Sequence, residues 1–493
     1  MRETTVAEGK VRGIPCGWPS ITVYYGIPYA APPTGPLRWR PPQPAASWKG
    51  VRDCARASAR CLQLGVGKGS FFEKEFYPYE EEMNEDCLYL NIWTPAQTPE
   101  ERLPVIFWIH GGGFMTGYGH SAHFDGEHFA RQGVILVTIN YRLNIFGWMT
   151  HPELDAETSA GVSGNYGLLD QIAALKWVRR NIAAFGGDPE NITLAGQSAG
   201  AACAQALLCS PLTRGLFSKA ILQSGGGPSP FPDMKYPSLK AAERQTCLEA
   251  LGVRSLQEAR TLSGPELLSR WQKTLPGSEI TRTPVIDGLV LPDSITSCCR
   301  NGHTPDISCL IGYTSQEGLI FAQNRKHLEE IIWQTLPQNA AEYLSLCPED
   351  GPSFPAYQCA MATELLQGAA EAWAELRQRQ QKGDTYVYCL ERQLPGDQKG
   401  AFHASDLWYV FRTLMRSWRP WEAEDYMLAY ACNTYWANFA KTGNPNGDRK
   451  PPLPHWRPYT REDPVTMGLD AIIHPHHRPR SPRVICWKKE QLE

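Results

Sequence analysis

The chain carries almost no net charge. Over 493 residues, 48 lysines and arginines stand against 51 aspartates and glutamates, a formal balance of −3. Such a balance offers no electrostatic footprint for nucleic acid or an anionic membrane, so neither is expected as a partner and a neutral small molecule fits better. Long hydrophobic runs are also missing. Val105 to Ile109 and Val134 to Ile139 are among the longest, and both fall far short of the roughly 20 residues of a membrane-crossing helix. Met1-Arg2-Glu3-Thr4-Thr5 opens no apolar leader, from which a cytoplasmic location is expected. The 15 cysteines are scattered and include no C-x-x-C pair. That leaves out the usual signatures of zinc and thioredoxin-like sites and predicts mostly reduced, buried thiols. No cofactor and no metal is expected. His474-Pro475-His476-His477 could take up an ion adventitiously, but a proline-broken segment makes a poor cage and reads as a solvated loop.

What is present is enough apolar sequence for a large core, 42% of the residues. There is no internal repeat and no low-complexity linker, so residues 1–493 read as one elaborated domain, acting as a monomer or a weak homo-oligomer. Ile192 to Ala195 form a short β-type run leading into Gly196-Gln197-Ser198-Ala199-Gly200, then a helical run of small residues that Pro211 stops. A strand, a sharp turn and a helix follow one another. Glycine at both ends of G-x-S-x-G lets the backbone turn tightly, holding Ser198 strained with its hydroxyl at a helix N-terminus, the arrangement of a nucleophilic serine.

Leu103 to Ile109 is a continuous apolar run, the pattern of a strand buried on both faces, and it ends in His110-Gly111-Gly112-Gly113-Phe114. Consecutive glycines let a backbone approach a ligand and aim N–H groups at a developing oxyanion. His110 reads as structural. Val134 to Ile139 is the next buried strand, Leu168 to Ala184 an amphipathic helix, and Ala220 to Gln223, Ile307 to Tyr313 and Tyr386 to Leu390 further strands. This alternation predicts an α/β fold with a mostly parallel sheet. Residues 228 to 280 and 318 to 382 read as largely helical insertions that roof the sheet's active edge. The proline- and aromatic-rich run over residues 21 to 44 is expected to lie extended across a preformed surface, since proline removes ladder donors.

A serine nucleophile needs a base and an orienting acid, in the order serine, acid, histidine for this architecture. Glu317 lies in a loop just past the strand Ile307 to Tyr313, where such a fold places its acid. Asp287 in Ile286-Asp287-Gly288 competes, although it reads more simply as a turn. His403, His327 and His455 are the candidate bases. Spacing alone leaves them open.

Two long segments carry a resemblance. Gly26-Ile27-Pro28-Tyr29-Ala30, with Leu37-Arg38-Trp39 and Pro41-Pro42 after it, resembles the opening of the type B carboxylesterase and cholinesterase family. Glu85-Asp86-Cys87-Leu88-Tyr89-Leu90-Asn91-Ile92-Trp93 is similar to that family's second signature nearly residue for residue. The likeness runs from near Glu8 to the block Trp436 to Pro445. It implies an α/β-hydrolase fold and a serine carboxylesterase acting through an acyl-enzyme on a small ester. It also implies an acid at Glu317, in Glu317-Gly318 followed by the aromatic Phe321, and a base at His403, in an H-x-x-D-L context with Asp406, Leu407 and Val410-Phe411.

By the same resemblance Gly112, Gly113 and Ala199 would donate to the oxyanion, and Arg38 with Glu85 and Arg142 with Asp170 would be structural ion pairs. Ser224 would stand behind the triad, with Gln197, Phe114 and Trp408 near the substrate pocket. Cys61 and Cys87 match the family's first disulfide pair. Gln197 departs from the glutamate usual in eukaryotic cholinesterases and removes a charge that would hold a cationic substrate. The pattern looks like the bacterial, para-nitrobenzyl-esterase-like branch. The same fold family also includes adhesion scaffolds that have lost the serine, and the same site chemistry could serve amides, carbamates or thioesters.

Overall fold

The computed structural model describes residues 2–228, 241–274, 283–319, 322, 324–348, 354–447 and 452–493. Two compact units divide the chain. The first comprises Met1–Leu194, Ser210–Phe217 and Met234–Ser294; the second comprises Ala195–Cys209, Ser218–Asp233 and Ile295–Glu493.

In the first unit the sheet strands are β1 (Ile14–Pro15), β2 (Thr22–Pro28), β3 (Tyr89–Thr94), β4 (Leu103–Ile109), β5 (Ile135–Ile139) and β6 (Gly187–Gln197), the last three residues of β6 belonging to the second unit. Their order is β1-β2-β3-β5-β4-β6. β4 and β5 run parallel, while β5 with β3, β3 with β2 and β2 with β1 are antiparallel. The last five residues of β4 and all of β5 are buried, as their unbroken apolar sequence requires. Helix α1 (Tyr166–Asn181) follows the predicted amphipathic stretch but stops earlier, tightening into a 3₁₀ turn at Ile182–Phe185 that Gly186 ends at φ 78°.

The proline-rich run departs from expectation. Its first third is β2, a mostly buried strand between β1 and β3, rather than a segment laid over a finished surface. The prolines explain the division. They crowd into positions 32 to 44, whereas Thr22 to Ile27 is β-branched and aromatic, with Pro28 only as its last residue.

Arg38 sits just beyond, forked onto Glu85 at 2.6 and 2.7 Å and bonded to the carbonyls of Ala259 and Leu262. It thereby ties the N-terminal segment to the helical stretch Leu256–Thr261 and Gly264–Thr274. Apolar faces of those helices, at Leu256, Leu267 and Trp271, pack with Trp39, Phe146 and Met149. The second expected pair is also formed, with Arg142 and Asp170 meeting at 2.7 and 2.8 Å while wholly buried. Part of the predicted insertion at 228 to 280 lies outside the described residues.

The second unit holds α2 (Ala199–Cys209), β7 (Lys219–Gln223), β8 (Ser308–Thr314), α3 (Phe354–Arg379), β9 (Thr385–Leu390), α4 (Ala423–Thr442), β10 (Val465–Leu469), β11 (His474–His477) and α5 (Pro482–Leu492). Strands β7, β8, β9 and β10 are successive parallel neighbours, and β11 closes the edge antiparallel to β10. Helices Arg325–Thr335, Ala340–Ser345 and α3 lie within the stretch 318 to 382 expected to be largely helical. The histidine-rich stretch is therefore an edge strand, not a solvated loop, and Pro475 sits within it. An edge strand needs only part of its donors, which is what allows the proline.

Candidate active site

Ser198 stands between β6 and α2, with φ 56°. That left-handed backbone is unusual for a residue with a side chain and is held from several sides. The Ser198 amide donates to the carbonyl of Gln223 at 2.8 Å, and its own carbonyl accepts the amide of Ala202 at 2.9 Å. Neighbouring glycines permit the turn, since a Cβ at Gly196 would fall 2.4 Å from the Gly200 carbonyl oxygen and one at Gly225 would fall 2.4 Å from that of Ser198. The small residues of the motif are therefore a steric requirement of the bend.

His403 meets this serine from a distant loop, with Nε2 2.8 Å from Ser198 Oγ. On its other side Nδ1 is hydrogen-bonded to Oε2 of Glu317. Pairing of Gln316 with Phe402 aligns the loop after β8 with the segment carrying His403, and the His403 amide donates to the Glu317 carbonyl at 3.3 Å. Glu317 is itself fixed. Its Oε1 accepts the Ser224 hydroxyl and the Thr314 amide, each at 2.8 Å, and its amide donates to Thr363 Oγ1 at 3.0 Å. Glu317 and His403 are both buried, at 1% and 6% exposure. Gln197 comes within 3.3 Å of His403 Nε2 through its side-chain nitrogen.

Of the predicted residues, the second unit thus brings together Ser198, Glu317, His403, Ser224 and Gln197. Ala199 begins α2, so its amide is one of the first four of the helix and has no intrahelical acceptor. Trp408 is buried in the short helix Asp406–Phe411. In the first unit, Gly112 and Gly113 adopt φ 112° and 62°; the Gly112 carbonyl accepts the amides of Met115 and Thr116, and a Cβ on Gly113 would meet nothing within 4 Å. Phe114 follows at φ 64°, its ring edge-on to Trp148 and its carbonyl accepting the Trp148 indole at 2.9 Å. His110 is buried against Tyr141 with Nδ1 2.8 Å from the Gly111 carbonyl, and burial pulls its pKa down to about 4. It is a neutral structural ring. Asp287 caps a turn, accepting the amides of Leu289, Val290 and Leu291. Phe321 lies outside the described residues.

Sequence reasoning missed the supports behind Ser198, His403 and Glu317. Thr363 comes from the middle of α3, and Gln223 links Trp436 to Asp406, which also accepts the Tyr388 hydroxyl at 2.7 Å. Burial pushes the Asp406 carboxyl above its usual range. Only Asp406 left a local signal, three residues beyond His403.

The sequence profile of the carboxylesterase family matches residues 2–351 and 352–487. The chain belongs to the carboxylesterase family. Among its relatives are the para-nitrobenzyl esterase of Bacillus subtilis, 34% identical over 97% of this chain and 96% of that one, and the fumonisin B1 esterase of Sphingopyxis macrogoltabida, 34% identical over 94% and 85%. A solved PNB esterase superposes with a TM-score of 0.86 at 32% identity, covering 100% of this chain and 99% of that one. This carboxylesterase accordingly has the α/β-hydrolase fold and is a carboxylic ester hydrolase. The pair that matches the family's first disulfide is not bridged here. Cys61 and Cys87 are free thiols, and the Cys87 thiol is pushed well up by its hydrogen bond with Cys61 and by burial. Among the described residues no helix is long and apolar enough to cross a membrane.

Proposed function

We propose that Ser198 is the nucleophile, His403 the general base and Glu317 the orienting acid of a carboxylesterase acting on small neutral esters. The observation that carries this reading is the continuous path Ser198 Oγ to His403 Nε2, then His403 Nδ1 to Glu317, in a buried setting. His403 takes the serine proton as Oγ attacks the ester carbonyl; Glu317 holds the tautomer with Nε2 free and stabilises the imidazolium. The amides of Gly112, Gly113 and Ala199 are the donors assigned to the tetrahedral oxygen, supported by the positive-φ backbone of the two glycines and the orphan amide at the start of α2. The alcohol leaves with the proton from His403, an acyl-serine remains, and water activated by the same imidazole releases the acid.

The uncharged Gln197 beside His403 supports a neutral rather than a cationic substrate. The fifteen free thiols support a reducing, cytoplasmic setting. The test is Ser198→Ala assayed on p-nitrophenyl acetate and with a fluorophosphonate probe. Both turnover and covalent labelling should vanish while the circular dichroism spectrum stays unchanged. Turnover retained in the purified variant would name a different nucleophile.

A further inference from the structure

Away from the triad, the C-terminal edge of the second unit's sheet gathers two imidazoles and a carboxylate. His474 and His476 are two apart on β11 and so project from the same face. Glu391 follows the end of β9, its amide bonded to the Leu469 carbonyl at 2.9 Å. β10 runs between these two strands, and the residue it places under the three side chains is Gly468, paired with Cys389 on one side and His474 on the other. A Cβ there would lie 2.7 Å from Glu391 Oε2, 3.0 Å from His476 Cε1 and 3.2 Å from His474 Cε1. Gly468 has no left-handed φ to account for it. The room it leaves is room for the three side chains to converge.

They do converge, with ligand atoms from all three within 4.8 Å of one another. His474 Nδ1 lies 3.1 Å from the Ile472 carbonyl, which fixes Nδ1 as the protonated nitrogen and turns the Nε2 lone pair inward. That lone pair faces His476 Nδ1 at 2.9 Å. His476 Nε2, 3.6 Å from Glu391 Oε1, is buried and has no hydrogen-bond partner. The following histidine, His477, is occupied elsewhere, bonded to Asp463 at 2.8 Å.

We propose that His474, His476 and Glu391 form a binding site for a divalent transition-metal cation of the zinc class, clamping the edge strand β11 to the end of β9. Two neutral imidazoles and one carboxylate are the donor set such an ion takes, with water completing the shell. Coordination replaces the hydrogen bond between the two rings. The proton on His476 Nδ1 moves to Nε2 of the same ring, which faces the Glu391 carboxylate, so no net proton is released. Arg478 also donates to Glu391 and offsets part of its charge, which weakens the site.

The full-length protein, stripped with a chelator and dialysed, is titrated with zinc chloride by calorimetry, and its melting temperature is followed with and without zinc. The expected result is a single micromolar site per chain and a zinc-dependent rise in melting temperature. His476→Ala and Glu391→Gln should each weaken that site by at least about tenfold, whereas His477→Ala should keep it. Esterase activity without zinc should be unchanged in all three. Wild-type binding retained in His476→Ala and Glu391→Gln, or no saturable binding by the wild type, would overturn the proposal. If His476→Ala folds poorly without zinc, the solvent-exposed His474→Ala makes the same test.

Discussion

Ser224 donates its hydroxyl to Oε1 of Glu317 at 2.8 Å, leaving the other carboxylate oxygen to His403. The carboxylate is thus held at both ends, which under the proposed mechanism makes Ser224 a positioning residue for the base. Ser224→Ala removes one donor of two on Oε1, a loss of about 1 kcal/mol in a typical case. We expect kcat to fall severalfold to about tenfold with KM little changed, read from steady-state kinetics on p-nitrophenyl acetate. A shift confined to KM would place this hydroxyl in substrate binding instead.

Replacing the acid itself should be far more damaging. Glu317→Gln keeps the shape but presents an amide to Nδ1, removing the charge that stabilises the imidazolium and favouring the wrong tautomer. A fall in kcat of about 10⁴-fold is expected, with fluorophosphonate labelling of Ser198 slowed in step. Near-normal labelling would mean that another carboxylate orients the ring.

Two glycines separate crowding from backbone strain. At Gly196 an added methyl would sit 2.4 Å from the Gly200 carbonyl oxygen, main chain that cannot swing aside. Gly196→Ala should therefore cut kcat by at least about 100-fold by displacing Ser198, along with a clear loss of melting temperature. At Gly113 the space is open and only the left-handed φ opposes a side chain. Gly113→Ala should cost about 1 kcal/mol of stability, measurable by urea titration.

The ion pair of Arg142 and Asp170 is shut away from water, at 1% and 0% side-chain exposure. Asp170→Asn strands a buried guanidinium, and about 3–5 kcal/mol of stability should be lost. Equilibrium unfolding in urea reads this directly. A loss below 1 kcal/mol, roughly the worth of a surface pair, would mean that water reaches Arg142.

Acid should weaken the first unit through its histidines. Burial lowers the pKa of His110 and His120 to about 4 and of His123 to about 3, from an ordinary 6.5. Below 6.5 the unfolded chain takes up protons that the folded chain refuses, so stability is intact above that value and declines as pH falls toward 4. Each group contributes a slope of at most about 1.4 kcal/mol per pH unit. Urea midpoints measured across that window should fall with pH, and His123→Gln should flatten the decline. A midpoint that stays level would show these rings are not buried as neutral groups.

Much of this was legible in the sequence where a residue's neighbours in the chain fix its role. The apolar runs that became β4 and β5 and the small residues around Ser198 declare themselves locally, because burial on both faces and a tight bend each restrict composition. Spacing alone could not choose among His403, His327 and His455, since the imidazole that meets Ser198 lies 205 residues along the chain. Family likeness supplied that choice. Thr363 and Gln223 were illegible for a related reason: a polar side chain in a helix or at a strand end gives no sign of which distant group it will bond. The edge strand β11 was misread because a proline between histidines suggests a loop unless one knows that the segment has only one neighbour to pair with.

Nine described residues other than glycine adopt a left-handed backbone, and four of them, Phe114, Ser198, Ser224 and Ala404, lie within or directly beside the segments assigned to chemistry. Each such residue raises the free energy of the native chain by on the order of 1 kcal/mol. The four torsions therefore draw stability out of the very segments that hold Ser198 and its neighbours, and the contacts packed around those segments must offset it.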